Sequence, residues 1–353
     1  MNRPLFVQSA VGALVFCLAC GTTAASGGAS VADAGAKDIA ATDVDAAASD
    51  GAAGTDAAAA DVAVVTPLPA GDLAGELSDG DVLQGDYTLT GTLTIPAGAS
   101  VQVLAGTTIT SPSFTITVNG TLTVLGTQAS PVVISGPATG KAWNGIHVAG
   151  TLTASWLEVS YGIINIQSVN ANGILTLDHC HVHHGQLYNI VCRGVSNLSR
   201  MLVESPRTPA DTTYNIGVEG GTLTLEDSTI QDTPNECIIC ENGGTLYVHY
   251  NNLATGHCGI HFNDTASAEV LHNAFTGNQY GMMLMGVAAA EMHGNNFTQS
   301  INQEIAEGST QTAKLNLTGN FWGDNKNFVI QGATPDTSGA LSTAATDAGP
   351  RPE

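Results

Sequence analysis

Four stretches decide the fold: TLTLEDSTIQ at 222–231, TLYVHYNNLA at 245–254, SAEVLHNAFT at 267–276 and AAEMHGNNFT at 289–298. Aligned, they put Ile230, Leu253, Phe275 and Phe297 in one column, 23, 22 and 22 residues apart. Val159, Val182 and Val203 extend the column upstream at 23 and 21 residues, and the 27-residue step to Ile230 absorbs an extra loop, Pro206–Asp211. A constant period of this length is the signature of a stacked repeat. Five residues before the landmark stand Leu177, Leu225, Val248, Val270 and Met292. Seven before it stand Leu152, Leu175, Leu223, Leu246, Ala268 and Ala290. Alternate residues of a strand share a face, so these columns point inward, while Thr224, Tyr247, Glu269 and Glu291 between them point out. Two before the landmark come Ser228, Asn251, Asn273 and Asn295, joined by Asn320 if the last coil has one longer loop. Asn tolerates the left-handed conformation of a tight turn, and stacked amides bond from rung to rung, so an Asn ladder is expected here.

Working outward, a strand–turn–strand–loop unit explains most of residues 150–325, with no helical period anywhere. A β-sandwich would show hairpin turns and no constant period. Leucine-rich repeats need a Leu-x-x-Leu-x-Leu frame, which is absent. The expectation is an all-β, single-stranded parallel β-helix, a solenoid with coils of about 22 residues over residues 71–330. Composition agrees: 41 Gly, 5% aromatic and 11% charged residues describe a core of Val, Ile, Leu, Ala and Thr. Those are strand formers. With 9 Lys+Arg against 31 Asp+Glu the formal charge is -22, which repels phosphate backbones and excludes nucleic acid as a partner. Anionic glycans are disfavoured for the same reason, unless calcium bridges the like charges.

The flanks differ in kind. Met1–Arg3 is a short positive region, and Leu5–Leu18 is an apolar run too short for a typical membrane span. It ends in Cys17-Leu18-Ala19-Cys20-Gly21, which resembles the bacterial lipobox. The resemblance implies a signal peptide over 1–19, a diacylated Cys20 and anchoring in the cell envelope, with the outer membrane favoured because Gly21 is not an inner-membrane retention Asp. Cys17 departs from the Leu usual at its position. Residues 20–70 are rich in Ala, Gly, Ser and Thr, with Asp33, Asp38, Asp43, Asp45, Asp50, Asp56 and Asp61 against the lone Lys37. Such a segment cannot bury enough apolar surface to offset ordering entropy, so a disordered acidic tether reaching roughly 40 Å is expected. Residues 331–353 are expected to be a similar tail.

Residues 88–109 hold the turn Ile95-Pro96-Ala97-Gly98; then follow Gly126-Thr127, Pro131-Val132-Val133 and Trp143-Asn144-Gly145-Ile146. Gly319-Asn320-Phe321-Trp322-Gly323 comes near the end. Together these resemble right-handed parallel β-helix repeat proteins of bacterial surfaces, over roughly residues 75–330. The resemblance implies the right-handed fold. It implies little about function, since this fold hosts lyases, hydrolases, adhesins and passive spacers.

Known β-helix chemistry is missing. Pectate lyases need calcium-binding carboxylates and a basic residue beside the sugar. The body here offers Arg193, Arg200, Arg207, Lys141, Lys314 and Lys326, none in an Asp-rich column. The polygalacturonase set is absent too, and Gly256-His257-Cys258-Gly259 is not its Gly-His-Gly. No catalytic residue is assigned. Glu269 and Glu291 stack on an outward column with His249 and His293 nearby, and Tyr247 could stack on a sugar. That makes a candidate ligand surface, or an acid–nucleophile pair in a hydrolase acting on neutral polysaccharide.

The sharpest local signal is Asp178-His179-Cys180-His181-Val182-His183-His184. His181 and His183 share a strand face, and the register stacks Glu158 beside His181 and Glu204 beside His183. This gives a candidate divalent-metal site of two His and two carboxylates, against the plainer alternative of an exposed His-rich turn. A copper-linked branch of the fold gives the idea precedent, without residues to carry over. Beyond Cys20 the mature chain has Cys180, Cys192, Cys237, Cys240 and Cys258, an odd set. Cys237 and Cys258 fall at corresponding positions of adjacent coils, where a disulfide would fit; stacked buried thiols are the alternative. The expected whole is a monomeric envelope lipoprotein, a non-catalytic scaffold binding a glycan or surface protein, with a neutral-polysaccharide enzyme and a metal-binding periplasmic protein as alternatives.

Overall fold

The computed structural model describes residues 66–205, 214–323 and 327–353. Cys20, most of the tether and the loop Pro206–Asp211 lie outside the described residues. A short strand such as Thr222–Glu226 buries Leu223 and Leu225 and leaves the alternate residues half-buried on the outer side, so one coil cannot cover its own apolar face. Stacking coil on coil does so. The first wall is a ten-stranded sheet running from Val82–Leu83 to Ala290–His293. The second and third walls share the other sheet. The second holds Leu157–Ser160, His181–His183, Leu202–Glu204 and their successors; the third holds Ile164–Ser168, Tyr188–Cys192, Tyr214–Glu219, Ile238–Glu241 and Cys258–Asn263. All these strands pair in parallel, as a β-helix of about ten turns of about 23 residues, and no helix occurs among the described residues.

The landmark column pairs coil by coil: Val159 with Val182, Val182 with Val203, Val203 with Ile230, Ile230 with Leu253, Leu253 with Phe275 and Phe275 with Phe297. All are fully buried, each contributing about 1.5–3 kcal/mol of transfer free energy before entropy is counted. Tyr247, Glu269 and Glu291 form an outward column on the first wall.

The corner between the first and second walls corrects one expectation. The left-handed residues are Trp156, His179, Arg200, Asp227, Tyr250 and His272, with Gly294 continuing the series at φ 64. Each stands one position before the ladder column, so the Asn residues themselves are not left-handed. The reason is the direction of their amides, which face into the corner. Asn251 Nδ2 donates to Asn273 Oδ1 at 3.0 Å, Asn273 to Asn295 at 3.0 Å and Asn295 to Asn320 at 3.0 Å. The backbone N–H of each donor residue reaches the same oxygen at 2.8, 2.8 and 2.9 Å.

A second ladder, not anticipated, lines the corner between the second and third walls. Asn165 Nδ2 donates to Asn189 Oδ1 at 2.9 Å, and Asn189 Nδ2 to Asn215 Oδ1 at 2.8 Å. Each of these Asn precedes an inward Ile: Ile166, Ile190 or Ile216. This register also corrects the candidate disulfide, one of two alternatives for Cys237 and Cys258. Ile216 pairs with Ile238 and Ile238 with Ile260, so Cys237 lies level with Gly259, not with Cys258. The two thiols have different partners: Cys237 Sγ lies 3.6 Å from Ala254 O, Cys258 Sγ lies 3.4 Å from His257 Nδ1, and all five described cysteines are free.

The turn motifs have steric causes. Gly145 has φ 94, and a Cβ there would sit 1.7 Å from the Ile164 carbonyl oxygen. Beside it Trp143 is fully buried and its Nε1 donates to Ser160 O at 2.8 Å. At the far end Phe275, Phe297 and Trp322 stack with centroids 4.5 and 4.6 Å apart, closing the core. The last segment is not a loose tail. It runs back over the first corner, with Leu341 N–H on Asn320 O, Ala345 on Asn296, Gly349 on His272, Arg351 on Asp227 and Glu353 on His179. Its polar composition gives no apolar periodicity to read, because hydrogen bonds and ion pairs hold it.

Candidate metal centre

Along His181–His183 the side chain of Val182 points into the core, so both flanking imidazoles stand on the outer face, their rings stacked at 4.2 Å. Glu158 lies opposite His181 on the preceding coil and Glu204 opposite His183 on the following one. The contacts run diagonally. His183 Nε2 is 3.3 Å from Glu158 Oε1, and His181 Nε2 is 3.1 Å from Glu204 Oε1.

One donor atom each from Glu158, His181 and His183 lies within 4.8 Å of the others. Glu204 stands outside that trio. Gln231 Nε2 donates to its Oε2 at 3.0 Å, so its carboxylate is fixed and in turn orients the His181 ring. Burial alone would raise the Glu204 carboxyl, but hydrogen bonds from Gln231 and His181 outweigh it and hold the group below its ordinary value. Burial, and then the neighbouring His181, push the His183 imidazole below its usual pKa. The neutral ring that results is the form that ligates a cation.

The remaining histidines of the cluster are sorted by the walls. His184 takes the left-handed turn after the strand, its Nδ1 2.5 Å from His183 Nδ1 and its ring 4.9 Å from Tyr161. His179 sits on the other corner, stacked on Trp156 at 4.4 Å and paired with Asp178 and Glu353. A hollow bordered by Gln128, Trp156, His179 and Arg200 opens beside Glu158 and His181.

On the first wall, Tyr247 is 40% exposed above a shallow hollow shared with Glu269 and Glu291. His249 Nε2 lies 2.9 Å from Glu269 and His293 Nε2 lies 2.9 Å from Glu291. Each carboxylate therefore has its own imidazole. A third group was not anticipated: Glu236, Cys258 and His261 also bring donor atoms within 4.8 Å. Its signal was present in the Ile216, Ile238, Ile260 column, which puts Glu236 level with Cys258.

A family model described as "NosD: Periplasmic copper-binding protein (NosD)" matches residues 135–333, more than half of the chain. No curated protein and no solved structure matches the chain. The matched span holds both candidate donor clusters and nearly all the coils from the third onward, and on that span the chain belongs to the NosD family of right-handed parallel β-helix proteins.

Proposed function

We propose that this protein is an envelope β-helix that binds a divalent transition-metal ion, copper foremost, through His181, His183 and Glu158. The observation that carries the reading is the convergence of those three donors within 4.8 Å on a rigid wall. Two imidazoles and a carboxylate suit Cu(II) or Zn(II), and the family's description names copper. Glu204 supports the site by orienting His181, and such outer partners change metal affinity by about 10–100-fold. A periplasmic-side location fits the family description, and Cys20 would anchor the chain by lipid at the outer membrane. The test is Cu(II) titration followed by electron paramagnetic resonance. Nitrogen hyperfine coupling is expected from the intact protein and should be lost in His181→Ala/His183→Ala. An unchanged spectrum in the double variant, or no bound copper, overturns the reading.

A second reading is favoured by Tyr247. Its exposed ring beside the His249–Glu269 pair offers a stacking face for a neutral sugar on a non-catalytic rod, or a contact for a surface protein. A glycan array with Tyr247→Ala as control tests it; equal signal from both proteins would remove Tyr247 from any binding surface.

A further inference from the structure

On the third wall, beyond the coil of His181–His183, donor atoms of Glu236, Cys258 and His261 lie within 4.8 Å of one another, and a fourth potential ligand, His257, stands beside Glu236 and Cys258. Glu236 and Cys258 occupy successive places in one column, because Ile238 pairs with Ile260 and the Cys237 N–H donates to the Cys258 carbonyl at 2.9 Å. Tyr280 is the next member of that column. The Glu236 carboxylate is only 6% exposed. One of its oxygens, Oε1, faces two imidazole nitrogens: His257 Nδ1 at 3.2 Å and His261 Nδ1 at 3.5 Å. Cys258 Sγ lies 3.4 Å from the same His257 nitrogen. The His257 ring also packs edge-on against Tyr280 at 5.2 Å, which walls the group on that side.

A carboxylate this deeply buried calls for positive charge nearby. Among the described residues its ion-pair partners are these two histidines, with no Lys or Arg. The converging carboxylate oxygen, imidazole nitrogen and thiol sulfur, with the His257 imidazole beside them, are the donor types of a four-coordinate zinc-type site. The first cluster is different in kind, since it offers no sulfur.

We propose that Glu236, Cys258 and His261, with the adjacent His257 completing the set, form a second cation site, a mixed thiolate, imidazole and carboxylate site for a zinc-like divalent ion. Binding releases the Cys258 thiol proton to solvent as the thiolate forms its bond to the ion. The site ties the coil carrying Glu236 to the coil carrying the other three ligands. It does not depend on the site at His181–His183.

Cobalt(II) is the probe, because only a thiolate ligand adds a sulfur-to-cobalt charge-transfer absorption to its spectrum. The full chain, kept reduced, is titrated with cobalt. The band is expected in the wild type, in His181→Ala/His183→Ala and in Cys240→Ser. It should be absent in Cys258→Ser, and half-saturation should move to at least about tenfold higher cobalt in His261→Ala and Glu236→Gln. Excess zinc should abolish the band. No sulfur band at saturating cobalt, or a band that survives Cys258→Ser, overturns the proposal. If Cys258→Ser does not fold, His261→Ala and Glu236→Gln decide the matter, and unchanged titrations in both would sink it. No bound copper in the wild-type protein, with the cobalt band intact, would remove the first site alone and leave this one standing.

Discussion

Asn273 shows what one buried amide does in a stacked coil. Its Nδ2 donates to Val248 O at 2.7 Å, Leu271 O at 3.0 Å and Asn295 Oδ1, while its own oxygen receives both donors of Asn251. Removing the amide strands groups in three coils, and each buried unpaired group costs about 1–3 kcal/mol. Asn273→Ala should therefore lower unfolding free energy by roughly 3 kcal/mol or more, whereas Asn172→Ala on an exposed loop should stay within about 0.5 kcal/mol. Urea denaturation compares them, and equal midpoints would show the ladder is not stabilising. Thiols tell a similar story about burial. It pushes Cys180 and Cys192 up to about 12, so neither is nucleophilic near neutral pH. A maleimide pulse followed by peptide mass spectrometry should label both only after denaturant is added; rapid labelling of native protein would mean the walls open locally.

At the scale of the element, a wall was easier to read than a corner. Wall strands alternate strictly, so Leu223, Leu225 and Ile230 announce their face by parity, and the column from Val159 to Phe297 follows from spacing alone. The cluster of Glu158, His181, His183 and Glu204 was legible for that reason, being a wall feature. Corners follow no parity: Cys237 and Cys258 were set level when Glu236 is the true neighbour of Cys258, and the Asn165–Asn189–Asn215 ladder stayed hidden although each Asn precedes an inward Ile. The returning C-terminal segment had no apolar signal at all. Its anchor is Arg351, which pairs with Asp227 at 2.5 Å and Glu226 at 3.2 Å and lies 4.3 Å over the Tyr250 ring. Hydrogen bonding from Arg351 holds the Asp227 carboxyl below its ordinary value. A depressed carboxylate pKa stabilises docking above the unfolded value, and that contribution fades as pH falls through the folded one. Protection of the 345–353 amides, measured against their intrinsic exchange rates, should thus be strong at neutral pH and fall away below about pH 4. Arg351→Ala should show little protection at either pH, with little change in global stability because the pair is exposed. Strong protection retained in the variant at neutral pH would place the anchor elsewhere.

The described coils form a one-dimensional stack in which each coil pairs with its neighbours and only the returning C-terminal segment bridges several, so its stability is largely a chain of interfaces rather than one core. Most of the chain's formal charge of -22 sits on that stack, since only seven of its 31 acidic residues precede residue 66, and salt screens the resulting self-repulsion. Its ends matter most, because an uncovered last coil exposes both apolar surface and unpaired backbone. Here the cover is Trp322, 1% exposed, stacked on Phe297 and meeting Phe328 edge-on at 4.9 Å. Trp322→Ala removes the outermost ring of the internal stack and leaves Phe297 facing a void, a change worth about 3–5 kcal/mol where it occurs. In a globular core that loss would weaken every part together. In a stack it should fray the C-terminal coils first: amides of 290–307 lose protection while those of 151–192 keep theirs. Copper binding at His181 and His183 should then survive the substitution at moderate temperature, since its coils lie far up the stack from the opened end. Hydrogen exchange resolved by peptide, run alongside the copper titration, separates the two behaviours. A uniform loss of protection, with the metal site lost in step, would show that the coils fold as one cooperative block.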